Sequence, residues 1–223
     1  MPILMERSSL TYGSVTLQKH DIRLLSGNFW LNDQCLSFYL EYLTRKYANS
    51  RILLLEPSAC FLIALETDPE DLKIGLNRLD FATPDLFFLP INDNSDAEAS
   101  GGSHWTLLVL CKQTWTGYHY NSTGTGGNNL YQAQLIAQKL AGVLGVDGEV
   151  VIREVEVVPG QSNGFDCGVY VLWIVEMLLK DLLLEGSRQG SGLFAASFVR
   201  VAPSEVQLKR REIYGLVQGM MRV

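Results

Sequence analysis

The side chains best placed by type and spacing to do chemistry are Cys167, His104, Asn121 and Gln161. Cys167 ends the polar, turn-forming stretch Gln161-Ser162-Asn163-Gly164-Phe165-Asp166 and is followed by Gly168 and the apolar run Val169 to Val175. A cysteine placed where a polar loop becomes a long apolar helix meets unpaired backbone N–H groups and the positive end of the helix dipole. Both favour thiolate over thiol, and the thiolate is the nucleophile. The small residues around Cys167 are expected to leave its sulfur exposed. Cys35, Cys60 and Cys111 instead sit inside apolar runs and read as packed side chains.

A thiol nucleophile needs a base, and the chain offers 3 histidines. His20 lies in a charged segment and reads as solvated. His119 lies between aromatic residues of a strand and reads as packing. His104 leaves the loop Ser100-Gly101-Gly102-Ser103 and opens an apolar strand, so it can face a cleft from a rigid support. Asn121 ends the following strand. It is a natural turn starter, and its side-chain oxygen can also accept the Nδ1–H of His104, which would aim Nε2 at sulfur. The Gln161 amide, paired with the Cys167 backbone N–H, would form a donor pair for a developing oxyanion. These residue types read as the nucleophile, base, orienter and oxyanion donor of a cysteine hydrolase.

The elements that must position them follow from periodicity and punctuation. A first helix is expected to open at Asn32-Asp33, a second at Pro57-Ser58, and a short third over Pro69 to Leu76. Buried strands are expected over Leu86 to Ile91, Trp105 to Cys111 and Trp115 to Tyr120. An amphipathic helix over Asn128 to Leu144 and a half-exposed strand over Val151 to Val158 come next. A long buried helix over 166–184 and a polar-faced helix over Pro203 to Met221 complete the pattern. Residues 1–11 read as a loosely held N-terminus and 12–223 as one catalytic domain of α+β class with a central mixed sheet. The stretches Asn92 to Ser103, Ser122 to Gly127 and Glu185 to Gly192 read as polar, flexible loops.

Composition narrows the function classes. A chain of 223 residues with 47% hydrophobic and 19% charged residues is an ordinary globular protein with room for one good-sized core. A net charge of −6 gives no footprint for nucleic acid or an anionic membrane and suits a basic peptide or protein partner. The cysteine spacings match no zinc site or secreted disulfide framework, and Met1 to Glu6 does not have the pattern of a signal peptide. The expectation is a soluble, intracellular, reduced protein, cytoplasmic or nuclear, with no metal or organic cofactor.

Four short signatures then carry a resemblance: Trp30-Leu31-Asn32-Asp33, Gly102-Ser103-His104-Trp105, His119-Tyr120-Asn121-Ser122, and Gln161-x-Asn163-x-x-Asp166-Cys167-Gly168-Val169-Tyr170-Val171. Their order and spacing resemble the ubiquitin-like-modifier cysteine proteases, the sentrin-specific protease family, over roughly residues 12 to 185. Size and the loop Ile91 to Ser95 look most like its deneddylase branch. The resemblance implies a papain-like fold with Cys167 as nucleophile, His104 as base and acid, and Gln161 in the oxyanion hole. It further implies that Trp30 and Trp105 clamp the modifier's C-terminal Gly-Gly, while Asp33, Asn92, Asp93 and Asp166 line the substrate side. The implied partners are a Nedd (Rub) modifier and its conjugates such as cullins, acted on by a monomer. One departure stands out: Asn121 occupies a position where the family usually has aspartate. The alternatives are a SUMO- or ubiquitin-specific protease, an acyltransferase on the same framework, and a catalytically weakened modifier-binding module.

Overall fold

The runs at 86–91 and 105–111 have no polar face, so strands built from them must be covered on both sides. The computed structural model, which describes residues 8–96, 101–184 and 198–222, places them at the centre of a six-stranded sheet. The strands are β3 (Ile52–Leu54), β4 (Leu86–Asn92), β5 (Trp105–Cys111), β6 (Thr116–Asn121), β7 (Val151–Val158) and β8 (Phe198–Arg200), and they lie in that spatial order. β4, β5 and β6 pair antiparallel, whereas β3 pairs parallel to β4, and β7 and β8 run parallel to β6.

Helices cover both faces. One face packs against α2 (Asp33–Tyr47), α6 (Cys167–Leu184) and α7 (Pro203–Met221), with Phe38, Tyr39, Leu107, Val109, Tyr170 and Val206 in the shared core. The other face packs against α3 (Pro57–Leu65), α4 (Pro69–Leu76) and α5 (Asn128–Val143), around Phe87, Leu89, Leu108 and Leu140. The α+β expectation therefore holds.

Two local readings are corrected. The first helix is not the one at Asn32-Asp33, because α1 (Lys19–Leu25) precedes it, with Asp21 Oδ2 accepting the Gln18 backbone N–H at 2.8 Å where the helix opens. Residues 9–12 are not loose: β1 (Ser9–Tyr12) pairs antiparallel with β2 (Val15–Gln18), and buried Leu10 and Val15 join the core. Residues 1–7, the tip 97–100 of the Asn92 to Ser103 loop and the segment at Glu185 to Gly192 lie outside the described residues.

Topology explains why distant residues meet. β6 and β7 run parallel, so their C-terminal ends, Asn121 and Val158, share one edge of the sheet. β5 runs antiparallel to β6, which puts its N-terminal end, next to His104, at that same edge. α6 begins there as well, directly after the loop that leaves β7. At the far side, Lys209 of α7 pairs with the fully buried Glu176 of α6 at 2.6 Å, which fixes the terminal helix on the core.

Candidate active site

Cys167 is the first residue of α6, and the carbonyl before it, that of Asp166, accepts the first helical hydrogen bond from Tyr170 N at 2.9 Å. The N–H groups that follow have no intrahelical partner. Those of Cys167 and Gly168, together with the Trp105 N–H of β5, favour the charged form of the sulfur. Burial outweighs them: Cys167 is 2% exposed, and desolvation pushes its thiol above the ordinary 9.0. The expectation of an exposed thiolate is therefore corrected. In the free protein this residue is a sheltered thiol that must lose its proton to a base. Gly168 permits the shelter, since a Cβ there would lie 3.1 Å from Leu31 Cβ and 3.2 Å from Leu36 Cδ1.

His104 is held as a base should be. Its backbone N–H donates to Asp93 Oδ1 at 3.1 Å, and its carbonyl accepts from Asn129 Nδ2 at 3.2 Å. Its ring nitrogen Nε2 lies 2.8 Å from Asn121 Oδ1. That oxygen also takes the backbone N–H of Thr123 at 3.1 Å, and a backbone N–H can only donate. The Asn121 amide is thereby oriented with oxygen toward the imidazole, so Nε2 must carry the proton and Nδ1 keeps its lone pair. This reverses the expected assignment: the orienter takes Nε2–H, and Nδ1 is the basic nitrogen. Asn121 is itself buried at 7% exposed, and its Nδ2 donates to the Gly126 carbonyl at 3.3 Å. Glu154 of β7 accepts the Gly126 N–H, so Gly126 is held through both its N–H and its carbonyl.

Gln161 sits at the same edge, with its backbone N–H donating to the Ser122 carbonyl at 2.6 Å. Its Nε2 donates to the Asn163 carbonyl rather than pointing wholly into the site, which leaves one amide hydrogen uncommitted.

The expected substrate wall is partly rearranged. Trp30 is 50% exposed at the rim, with its indole N–H on the Gly164 carbonyl of the loop before Cys167. Trp105 is 6% exposed and donates to the Leu31 carbonyl at 2.9 Å, so it supports the Trp30 loop from within. Asp33 and Asn92 line a cavity of about 310 Å³ with Trp105, Phe61, Asn94 and Gly102. Asp93 instead closes its own loop, accepting the Ser103 hydroxyl and the N–H groups of Ser103 and His104. Burial works to raise its carboxyl, but these hydrogen bonds win and hold it below the ordinary value. Asp166 is likewise unavailable to a substrate. It is 2% exposed and accepts from Arg210 Nε at 2.9 Å and from Asn163 Nδ2 at 2.8 Å.

Several supporting residues were invisible to motif reading. Arg210 of α7 donates to Asp166 and to the carbonyls of Leu24, Phe29 and Phe165, so one guanidinium joins the Trp30 loop to the Cys167 loop. Asn129, two residues past a loop glycine, has the signal of a helix start, and nothing in that signal points to His104. Among the described residues no group of three or more metal-ligating side chains occurs.

A thiol at the N-terminus of α6 and an imidazole whose tautomer an amide dictates, brought to the same edge of the sheet, are the parts of a cysteine-type peptidase site. Comparison with known proteins agrees. The chain matches the "Ulp1 protease family, C-terminal catalytic domain" over residues 29–200, and it belongs to that family of cysteine proteases. It is 33% identical to NEDD8-specific protease 1 of Arabidopsis thaliana, covering 95% of this chain and 93% of that one. It is 34% identical to sentrin-specific protease 8 of Mus musculus over 80% of each. Among solved structures, the SUMO protease Ulp1 with its catalytic cysteine oxidized to a sulfonic acid superposes with a TM-score of 0.69 at 18% identity, covering 95% of this chain and 90% of that one. That likeness establishes the shared fold.

Proposed function

We propose that this chain is a cysteine protease and isopeptidase that cleaves after the C-terminal Gly-Gly of a ubiquitin-like modifier, most specifically a Nedd modifier. The observation that carries the chemistry is the His104–Asn121 bond, which directs Nε2–H to the amide oxygen and leaves the Nδ1 lone pair of His104 as the base, on the residue next to Trp105, whose backbone N–H favours the charged Cys167 sulfur.

Nδ1 takes the Cys167 proton as sulfur bonds to the carbonyl carbon of the modifier's last glycine. The carbonyl electrons move onto oxygen, which receives the Cys167 N–H and the uncommitted Gln161 amide hydrogen. Collapse of this intermediate breaks the C–N bond. The proton on His104 passes to the leaving amine, a lysine ε-amine or a peptide nitrogen, and a thioester remains. Water then gives a proton to His104 as its oxygen attacks the thioester, the departing sulfur takes that proton back from His104 to restore the thiol, and the modifier leaves as a carboxylate once its acid proton passes to solvent. The site needs no cofactor for any of these steps.

The rim suits an extended tail. On this reading exposed Trp30, bonded to the Gly164 carbonyl, would narrow the approach to sulfur so that glycines fit where side chains clash, with Asp33 and Asn92 available in the cavity they line. The Nedd assignment is supported by the names of relatives at 33% and 34% identity, against 18% for the SUMO protease structure. Cullin conjugates are the proposed substrates, a monomer the proposed working form, and cytoplasm or nucleus the proposed location.

The test is hydrolysis of C-terminal fluorogenic derivatives of Nedd, SUMO and ubiquitin by wild type and Cys167→Ala. The expected result is highest kcat/KM on Nedd and none for the variant. Preference for SUMO or ubiquitin overturns the modifier assignment, and turnover by Cys167→Ala overturns the mechanism.

A further inference from the structure

Two adjacent residues leaving β6 hold two different parts of the site. Asn121 holds His104. Ser122 holds Gln161, and does so twice: its carbonyl accepts the Gln161 backbone N–H at 2.6 Å, and its hydroxyl meets Gln161 Oε1 at 2.8 Å. Ser122 is 3% exposed, so water competes little for either bond.

The polarity of this contact is forced by its neighbours. Gln161 Nε2 faces the Asn163 carbonyl, which can only accept. Oε1 must therefore turn to Ser122, and the Ser122 hydroxyl must be the donor. With one amide hydrogen held by Asn163 and the oxygen held by Ser122, the amide plane is fixed. The direction of the remaining hydrogen is then set before any substrate arrives, which is what a preorganised oxyanion donor requires.

We propose that Ser122 is a positioning residue for the reaction, acting through Gln161 to aim its free amide hydrogen at the oxyanion. This rests on the reading of Gln161 as the oxyanion donor. Ser122 also couples the two halves of the site, because the same short segment that sets the His104 tautomer through Asn121 sets the amide plane of Gln161. A shift of this segment would misplace base and oxyanion donor together.

The experiment is a double-variant cycle on the C-terminal fluorogenic Nedd derivative, with wild type, Ser122→Ala, Gln161→Ala and the pair. Gln161→Ala is expected to lower kcat by about 10²–10³-fold, the effect of removing an oxyanion donor. Ser122→Ala is expected to lower kcat by about tenfold with KM unchanged, since the donor is present but unheld. In the Gln161→Ala background, Ser122→Ala is expected to add nothing. Ser122→Thr, which keeps a hydroxyl, is expected to recover most of the loss. Urea midpoints of all variants separate catalysis from folding. An equal loss from Ser122→Ala in both backgrounds, or no loss in wild type, overturns the proposal. An unchanged kcat for Gln161→Ala instead overturns the assignment of Gln161, and the role of Ser122 falls with it.

Discussion

Replacing Arg210 with methionine tests how the site is held together. The guanidinium is buried at 6% exposed and bonds the Asp166 carboxylate through Nε and Nη2, each at 2.9 Å. It also donates to the Leu24, Phe29 and Phe165 carbonyls at 2.8, 3.0 and 3.2 Å. Without it, Asp166 keeps only Asn163 as a side-chain partner and becomes a buried, uncompensated charge. Breaking a buried pair this way costs about 3–5 kcal/mol. Asp166→Asn alone leaves Arg210 its three carbonyls, so its loss is expected to be smaller. The double variant removes both charges and is expected to be more stable than the sum of the singles by about 0.5–3 kcal/mol. Urea unfolding at neutral pH with an unchanged slope measures each loss. Arg210→Met costing under about 1 kcal/mol, with strictly additive singles, would refute the reasoning, because it falls below the range for a broken buried pair.

Three further outcomes follow from the geometry. Burial holds the Cys167 thiol above 9.0, so its alkylation rate in the free protein is expected to keep rising through that pH; a plateau near neutrality would show a preformed thiolate. Asn121→Ala is expected to lower kcat at least about tenfold and at most by the 10²–10⁴ that general acid–base catalysis contributes, whereas Asn121→Asp keeps the acceptor and retains activity; an unchanged rate in Asn121→Ala removes Asn121 from the mechanism. His119 is fully buried, with Nε2 on Thr106 Oγ1 at 2.9 Å and Nδ1 4.0 Å from Glu154 Oε1; burial, with His104 nearby, lowers it from 6.5 to about 4. The unfolded chain therefore binds this proton first, and stability is lost as pH falls from 6.5 toward 4, by about 3 kcal/mol in all. His119→Gln is expected to flatten the pH dependence of the urea midpoint in that window, and an unchanged slope would contradict the burial argument.

Much of this architecture was legible in the sequence because buried strands and amphipathic helices write their periods plainly. The expected strands at Trp105 to Cys111 and Val151 to Val158, and the helix at Pro203 to Met221, have the observed limits. Proton placement and exposure were less legible. A local pattern at Cys167 announces helix N–H groups, but the burial that opposes them comes from a core shared with residues far away in sequence, Leu31, Leu36 and Trp105 among them. The His104 tautomer depends on the Thr123 N–H, which fixes the Asn121 amide. The polar-faced helix expected over Pro203 to Met221 buries two of its cations: Lys209 is 1% and Arg210 6% exposed, each neutralised by a buried carboxylate. A sequence does not distinguish a hydrated cation from a paired one. The short hairpin and α1 escaped notice because four-residue strands and a seven-residue helix carry too few periods to register.

The most direct test of the central claim is intact-mass and peptide mapping after incubation with a Nedd modifier carrying a C-terminal electrophile. Wild type is expected to gain one modifier, bonded to Cys167, with loss of the adduct in Cys167→Ala. Labelling of Cys35, Cys60 or Cys111 instead, or no adduct while a small alkylating agent still reaches Cys167, would contradict it.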